Sequence, residues 1–168
     1  KQNFGYLQPN KQVMNAWKDT REIAQALEAN VCVLQTSAGF SCTRENERNM
    51  RDLLTSIDRD GIELAWEARG DWKQNQNKVK EICNDLDLIH VVDLMRREPV
   101  SKHKIAYIRL HGLNENEYNY DYDYSKNELE KLANKLKKLT EEHKKVYCMF
   151  NNYEMFDNAE TLMKILNI

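Results

Sequence analysis

Five short apolar runs, set between stretches of helical period, constrain this chain more than any other feature of it. The runs are "VCVLQT" (Val31 to Thr36), "IELAWEARG" (Ile62 to Gly70), "LDLIHVVD" (Leu86 to Asp93), "KIAYIRLHG" (Lys104 to Gly112) and "KVYCMFNN" (Lys145 to Asn152). Each is short and rich in β-branched or aromatic residues, as a buried strand is. Helical spacing appears at Val13, Trp17, Thr20, Ala24 and Leu27, behind an Asn10 N-cap, and again at Met50, Leu53, Leu54 and Ile57. Val79, Ile82 and Cys83 mark a further helix. Ser125-x-x-Glu128 is a capping box that opens a long helix with Leu129, Leu132, Ala133, Leu136 and Leu139 on one side. A last helix has Asp157-x-x-Glu160 at its start and Leu162, Met163 and Leu166 inside. The expectation is five strands and six helices in strict alternation, which means βαβ units and an α/β fold with a parallel sheet. No linker or repeat divides the chain, so residues 1–168 read as a single domain.

Composition excludes several classes of function. A formal net charge of -2 gives no steering toward nucleic acid or an anionic membrane. No apolar run approaches the ~20 residues of a membrane span, and no signal-peptide pattern opens the chain. The sequence begins Lys1-Gln2-Asn3 without a Met, so an upstream segment is expected to have been removed. The four cysteines form no C-x-x-C pair. Cys32, Cys83 and Cys148 lie among apolar neighbours and Cys42 in a polar stretch, a pattern of structural thiols in a reducing cytoplasm.

Each strand starts apolar and ends polar. Gln35 and Thr36 end the first, Glu67 and Arg69 the second, and His90 and Asp93 flank the end of the third. Arg109 and His111 end the fourth, and Asn151 and Asn152 the fifth. In a parallel sheet these ends share one edge, the edge where α/β proteins bind ligands. Residues two apart on a strand lie ~7 Å from each other on one face, so Glu67 pairs with Arg69 and Arg109 with His111. Every one of these residues also has a bland reading. Glu67 and Arg109 suit a buried ion pair, His111 a hydrogen-bonded structural imidazole, His90 a packed one, and the asparagines turn-backbone bonds. The coincidence of five polar strand ends outweighs any one member of it.

The run "YNYDYDYS" (Tyr118 to Ser125) interleaves rings with carboxylates. It suits a lid over a sugar or base, or a loop whose tyrosines cover the rim. Its acidity argues against contact with a phosphate backbone. No H-E-x-x-H, Walker or G-x-G-x-x-G pattern occurs, and the spacing of Glu67, Asp93 and His111 requires no metal. No cofactor and no metal are expected.

Several segments together resemble one family. "YIRLHG" (Tyr107 to Gly112), "FNN" (Phe150 to Asn152), "EARGDW" (Glu67 to Trp72) and "VLQTSAGF" (Val33 to Phe40) are similar to the YecE-like proteins, the domain of unknown function 72. "HVVDLMRREP" (His90 to Pro99) and "FGYLQPN" (Phe4 to Asn10) resemble archaeal-type members in particular. Ser37-Ala38-Gly39 and Leu94 stand where the family often has prolines, a difference of loop shape. The resemblance implies a TIM-barrel fold. It also implies that the chain holds about five of eight βα units and lacks those that open the family's domain. A missing N-terminal segment, or a second copy, is then expected to complete the barrel. No reaction comes with the resemblance.

The leading functional expectation is an enzyme, or former enzyme, acting on a small polar or anionic ligand by acid/base chemistry. Glu67 is its general acid/base, and His111 its second proton-transfer group. Arg69 and Arg109 hold anionic groups, while Gln35, Asp93, Asn151 and Asn152 supply further ligand contacts. The alternatives are a metal-dependent phosphoesterase or nuclease-like barrel, and a non-catalytic interaction domain.

Overall fold

The first helix begins where the sequence places it. In the computed structural model, which describes residue 4 and residues 6–168, the Asn10 side chain accepts N–H bonds from Gln12 and Val13 at 3.0 Å each. Lys1–Asn3 and Gly5 lie outside the described residues, so the Phe4–Asn10 segment is described without Gly5. The elements that follow the cap are α1 (Lys11–Ala26), β1 (Val31–Gln35), α2 (Arg44–Ser56), β2 (Glu63–Glu67), a 3₁₀ turn (Gly70–Gln74), α3 (Gln76–Asp85) and β3 (Leu88–Val92). Then come β4 (Ile105–Leu110), α4 (Lys126–Glu142), β5 (Lys145–Phe150) and α5 (Met155–Leu166). Every strand pairing is parallel and the order is β1-β2-β3-β4-β5, a TIM-barrel-like α/β fold of about five βα units. No described helix is long and apolar enough to cross a membrane.

Strict alternation fails at one place. β3 runs to β4 through residues 93–104 without a helix. The segment lacks a helical apolar stripe and carries Pro99, and its first turn is spent on the Asp93 carbonyl, which accepts the N–H groups of Arg96 and Arg97 at 2.9 Å. The last helix is also displaced from its sequence signal. It starts at Met155 with no side-chain cap, and Asp157 sits inside its first turn, where a carboxylate suits the exposed N–H groups. The Ser125 capping box forms as read, and there the bonds from Tyr122 and Ser125 hold the Glu128 carboxyl low against the opposing effect of burial.

The chain divides into two compact units, residues 1–90 with 100–102, and residues 91–99 with 103–168. In the first, Met50, Leu53 and Leu54 of α2 and Val79, Ile82 and Cys83 of α3 pack with Leu64, Trp66 and Leu88. Phe40 and Trp72 complete this core, with Trp72 stacked on Phe40 at 5.8 Å and edge-on to Trp66 at 5.1 Å. Both indole N–H groups are satisfied, Trp72 by the Phe40 carbonyl at 2.6 Å and Trp66 by the Thr36 hydroxyl at 3.2 Å. Each buried ring contributes roughly 1.5–3 kcal/mol by transfer alone, and the donors add no penalty because they are paired. His90 is held in this unit as well, its Nδ1 accepting the Val100 N–H at 3.2 Å while its own N–H donates to the Ser101 hydroxyl at 3.0 Å. That is the packed imidazole of the bland reading.

In the second unit, Leu129, Leu132, Ala133, Leu136 and Leu139 of α4 meet Ala106, Ile108 and Leu110 of β4 and Leu162 of α5. The opposite face of β4 carries Tyr107, whose ring lies 5.5 Å from that of Tyr147 on β5. All four cysteines are free thiols. Burial pushes the Cys83 thiol up to about 12, so it behaves as a small hydrophobe.

Candidate functional site

In the first unit, Glu67 is the last residue of β2 and lies opposite Gln35 of β1 in the strand register. Its carboxylate is buried, and its Oε1 accepts from both Nε and Nη2 of Arg69 at 2.7 Å. Spacing of two residues brings this pair together, as expected for one strand face. Arg69 is held by the turn that follows it. Gly70 has φ +66, and a Cβ there would come within 2.5 Å of the Ala38 carbonyl oxygen, so only glycine lets the two loops touch. The result is a fixed, charge-assisted pair.

The second unit brings Asp93 and His111 together, a pairing that no spacing indicated. Asp93 follows β3 and His111 follows β4, and both are about 98% buried or more (1% and 2% exposed). Asp93 Oδ1 accepts the Met95 N–H and Oδ2 the His111 N–H, both at 3.0 Å. The His111 Nδ1 lies 3.9 Å from Oδ2, as does the Nε of Arg96. Burial pushes the Asp93 carboxyl above its ordinary range, opposed by those two N–H groups and by the Arg96 guanidinium. At 3.9 Å the imidazole is in electrostatic reach of the carboxylate but beyond a direct hydrogen bond.

The tyrosine-rich loop forms the wall of this pair. The rings of Tyr118 and Tyr120 lie 5.9 and 5.7 Å from the His111 ring. Arg96 fixes the loop's beginning, donating to the Gly112 and Asn114 carbonyls at 2.7 Å each. Arg97 grips Glu117 with two bonds of 2.7 and 2.8 Å. At the far end Asn152 donates to the Tyr122 carbonyl and to Asn158 Oδ1, both at 2.7 Å, and Asn158 donates to Asp123 at 2.7 Å. The Tyr153 N–H adds a bond to the Tyr120 carbonyl at 2.9 Å. A loop bound at so many points is a fitted wall, with rings presented to the imidazole.

The remaining sequence candidates stand apart from this pair in kind. Arg109 is half-buried on β4 and lies opposite Met149 in register. Asn151 is half-buried and extends the ladder, its N–H donating to the Leu110 carbonyl at 2.8 Å. Asn152 is buried, with both amide hydrogens donated inside the chain. Arg96, Arg97, Glu117 and Asn158 were not legible as site residues. The only signal was the adjacent pair of arginines after Asp93, whose partners lie many residues away.

The sequence pattern of a family described as "Protein of unknown function DUF72" matches residues 5–168. A DUF72 family protein from Thermotoga maritima MSB8 has a crystal structure that superimposes with a TM-score of 0.76 at 26% identity, covering 94% of this chain and 66% of that one. Two crystal structures of a DUF72 family protein from Enterococcus faecalis V583 give TM-scores of 0.71 and 0.69 at 22% and 23% identity, a likeness of fold. Each covers 87% of this chain, and 65% and 62% of its own length is matched. The chain thus spans less than two thirds of each of these structures. Comparison with curated proteins finds no match.

Proposed function

Given that the chain belongs to the DUF72 family of proteins of unknown function, we propose that it performs acid/base chemistry on a small polar or anionic ligand, with Asp93 and His111 as the proton-handling pair. The observation that carries this reading is a buried carboxylate held 3.9 Å from a buried imidazole behind two tyrosine rings. Histidine's intrinsic pKa suits proton transfer near neutrality, and a neighbouring carboxylate sets its orientation and supports its charged form. In this reading His111 moves the proton and Asp93 positions it. Arg109 receives the ligand's anionic group, and Asn151 offers a neutral hydrogen bond. The set in the first unit, Gln35, Glu67 and Arg69, is a separate group of ligand contacts, in which Glu67 orients Arg69 and takes no part in the proton transfer. Asn152 acts through the loop that it fastens. We further infer that additional strands complete the barrel, supplied by more polypeptide or by a second copy.

Thermal-shift measurements against inorganic phosphate, sugar phosphates and small hydroxy acids test the chemistry. A ligand present at 100 Kd stabilises a fold by ~2.7 kcal/mol. The shift is expected to vanish in folded His111→Gln and Asp93→Asn variants. Shifts retained in both variants, or no shift from any member of the panel, would overturn the proposal.

A further inference from the structure

His111 and Asp93 are 2% and 1% exposed, so in this arrangement neither can meet a ligand. Further polypeptide around the chain would only bury them more. For the pair to handle a ligand's proton, a cover has to move, and the rings over His111 belong to Tyr118 and Tyr120. Those two residues sit in a stretch that is bonded to itself. The Asn114 side chain donates to the Asn119 and Asp121 carbonyls at 3.0 and 2.8 Å, which ties the two ends of residues 114–121 together. Between those ends the Asn119 N–H donates to the Asn116 carbonyl at 2.9 Å, and the Tyr118 N–H to Asn116 Oδ1 at 3.1 Å. Glu115, Asn116, Asn119 and Asp121 are exposed. A compact loop with closed ends can swing as one body and keep the bonds inside it.

What holds this flap down differs from what holds the rest of the loop. Residues 122–124 are fastened by buried groups: Asn152 to the Tyr122 carbonyl, the Tyr124 N–H to Asn158, and the Gly112 N–H to the Tyr124 hydroxyl. The flap is tied by Glu117, whose two oxygens meet the two terminal nitrogens of Arg97, on a guanidinium that is 26% exposed. Water reaches that pair and can replace its bonds, whereas releasing the buried set would strand polar groups. Arg97 stays with the site, because its backbone N–H donates to the Asp93 carbonyl at 2.9 Å. One backbone bond also opens with the flap, from the N–H of the exposed Tyr153 to the Tyr120 carbonyl.

We propose that residues 114–121 are a lid over the Asp93–His111 pair, with the Arg97–Glu117 ion pair as its latch. The lid is shut in this structure, and a ligand enters when Glu117 releases Arg97. This rests on the reading of Asp93 and His111 as the proton-handling pair and adds how that site is reached. Closing again returns the rings over the ligand and sequesters it from water.

Diethyl pyrocarbonate, which carbethoxylates neutral imidazole, tests the lid without any ligand. Labelling of each histidine in the 168-residue chain is followed by peptide mass spectrometry. His90 is also 2% exposed but lies outside the loop's cover. Local opening should therefore let His111 label about tenfold or more faster than His90. Glu117→Gln and Arg97→Gln should each speed His111 by about a further tenfold. Both should leave His103, buried at the other end of β4, at its parent rate. Tyr118→Ala removes part of the cover and should speed His111 whatever the state of the latch. Equal rates at His111 and His90 in the parent chain, or a His111 rate that neither latch variant changes, would overturn the lid. So would His111 and His103 accelerating together, since the whole unit would then have loosened. Failure of the underlying reading looks different. Ligand-induced thermal shifts that survive in His111→Gln would overturn the acid/base chemistry, even where the latch variants expose His111 and the lid stands.

Discussion

Glu67 and Asp93 are both buried carboxylates at or just past the end of a strand, yet their charge is met in opposite ways. Glu67 has a guanidinium against one oxygen, with two donors at 2.7 Å. Asp93 has two backbone N–H groups at 3.0 Å, while Arg96 and His111 stand off at 3.9 Å. A contact ion pair holds its two side chains in one geometry, and removing one partner is costly. Backbone donors support a carboxylate without neutralising it, so its proton affinity stays open to burial and to a neighbouring ring. The first arrangement is suited to holding a turn. The second is suited to exchanging a proton.

The contrast can be broken most forcefully at Arg69. Arg69→Ala leaves the Glu67 carboxylate, whose side chain is 7% exposed, without its guanidinium, and stability should fall by about 3–5 kcal/mol. Urea denaturation gives the number. An unchanged midpoint would mean that Glu67 does not depend on Arg69, and the contrast would collapse.

A middle-sized effect is expected at Asn152, which serves the other side of the comparison by fastening the wall around His111. Asn152→Ala leaves the Tyr122 carbonyl and Asn158 Oδ1 without this donor, at a cost of about 1–3 kcal/mol. Amide exchange in residues 113–124 should quicken along with it. Loss of stability without quickened exchange would show that Asn152 supports α5 instead of the loop.

The smallest effect is one of slope. Because burial raises the Asp93 carboxyl, the folded chain binds that proton more readily than the unfolded chain. Its contribution to stability is therefore fully present below the unfolded carboxyl value of ~3.9 and is lost as pH rises through the folded value. Asp93→Asn cannot ionise, so the variant should gain on the parent chain as pH rises across that window and then run parallel to it. Denaturation midpoints at a series of pH values check this. A constant difference at every pH would mean that Asp93 is as ionisable folded as unfolded.

The fold was largely legible because its signals are local. The Ser125 capping box, the Asn10 cap and the apolar periods of α2, α3 and α4 depend on residues within a few positions of each other. Misreading came where local signal was weak, as between β3 and β4, where absence of a stripe had to be noticed. The site was legible only in its members. Glu67 with Arg69 could be paired because a strand's two-residue repeat enforces it. Asp93 with His111 could not, because that contact depends on how far each strand runs before its loop begins. The grip of Arg97 on Glu117 and of Asn152 on Asn158 was likewise hidden, since surface-type residues give no sign of a partner in another element. The tyrosine run was ambiguous between lid and cover, and the bonds that fasten it come from the turn between β5 and α5, from Asn158 of α5 and from the turn after β3.

Gly112 closes the "YIRLHG" segment with φ +97, and a Cβ at that point would stand 2.5 Å from the Cβ of Tyr122. The obstacle is the root of a side chain, which cannot swing aside, so accommodating even alanine means moving the Tyr122 backbone. That backbone is the one Asn152 holds, and the Gly112 N–H is itself tied to the Tyr124 hydroxyl at 2.9 Å. A single added methyl at 112 would therefore be felt along the whole loop, far beyond its own size. In the language of sequence drift, position 112 is a dead end, because any side chain there drags the Tyr122 backbone with it.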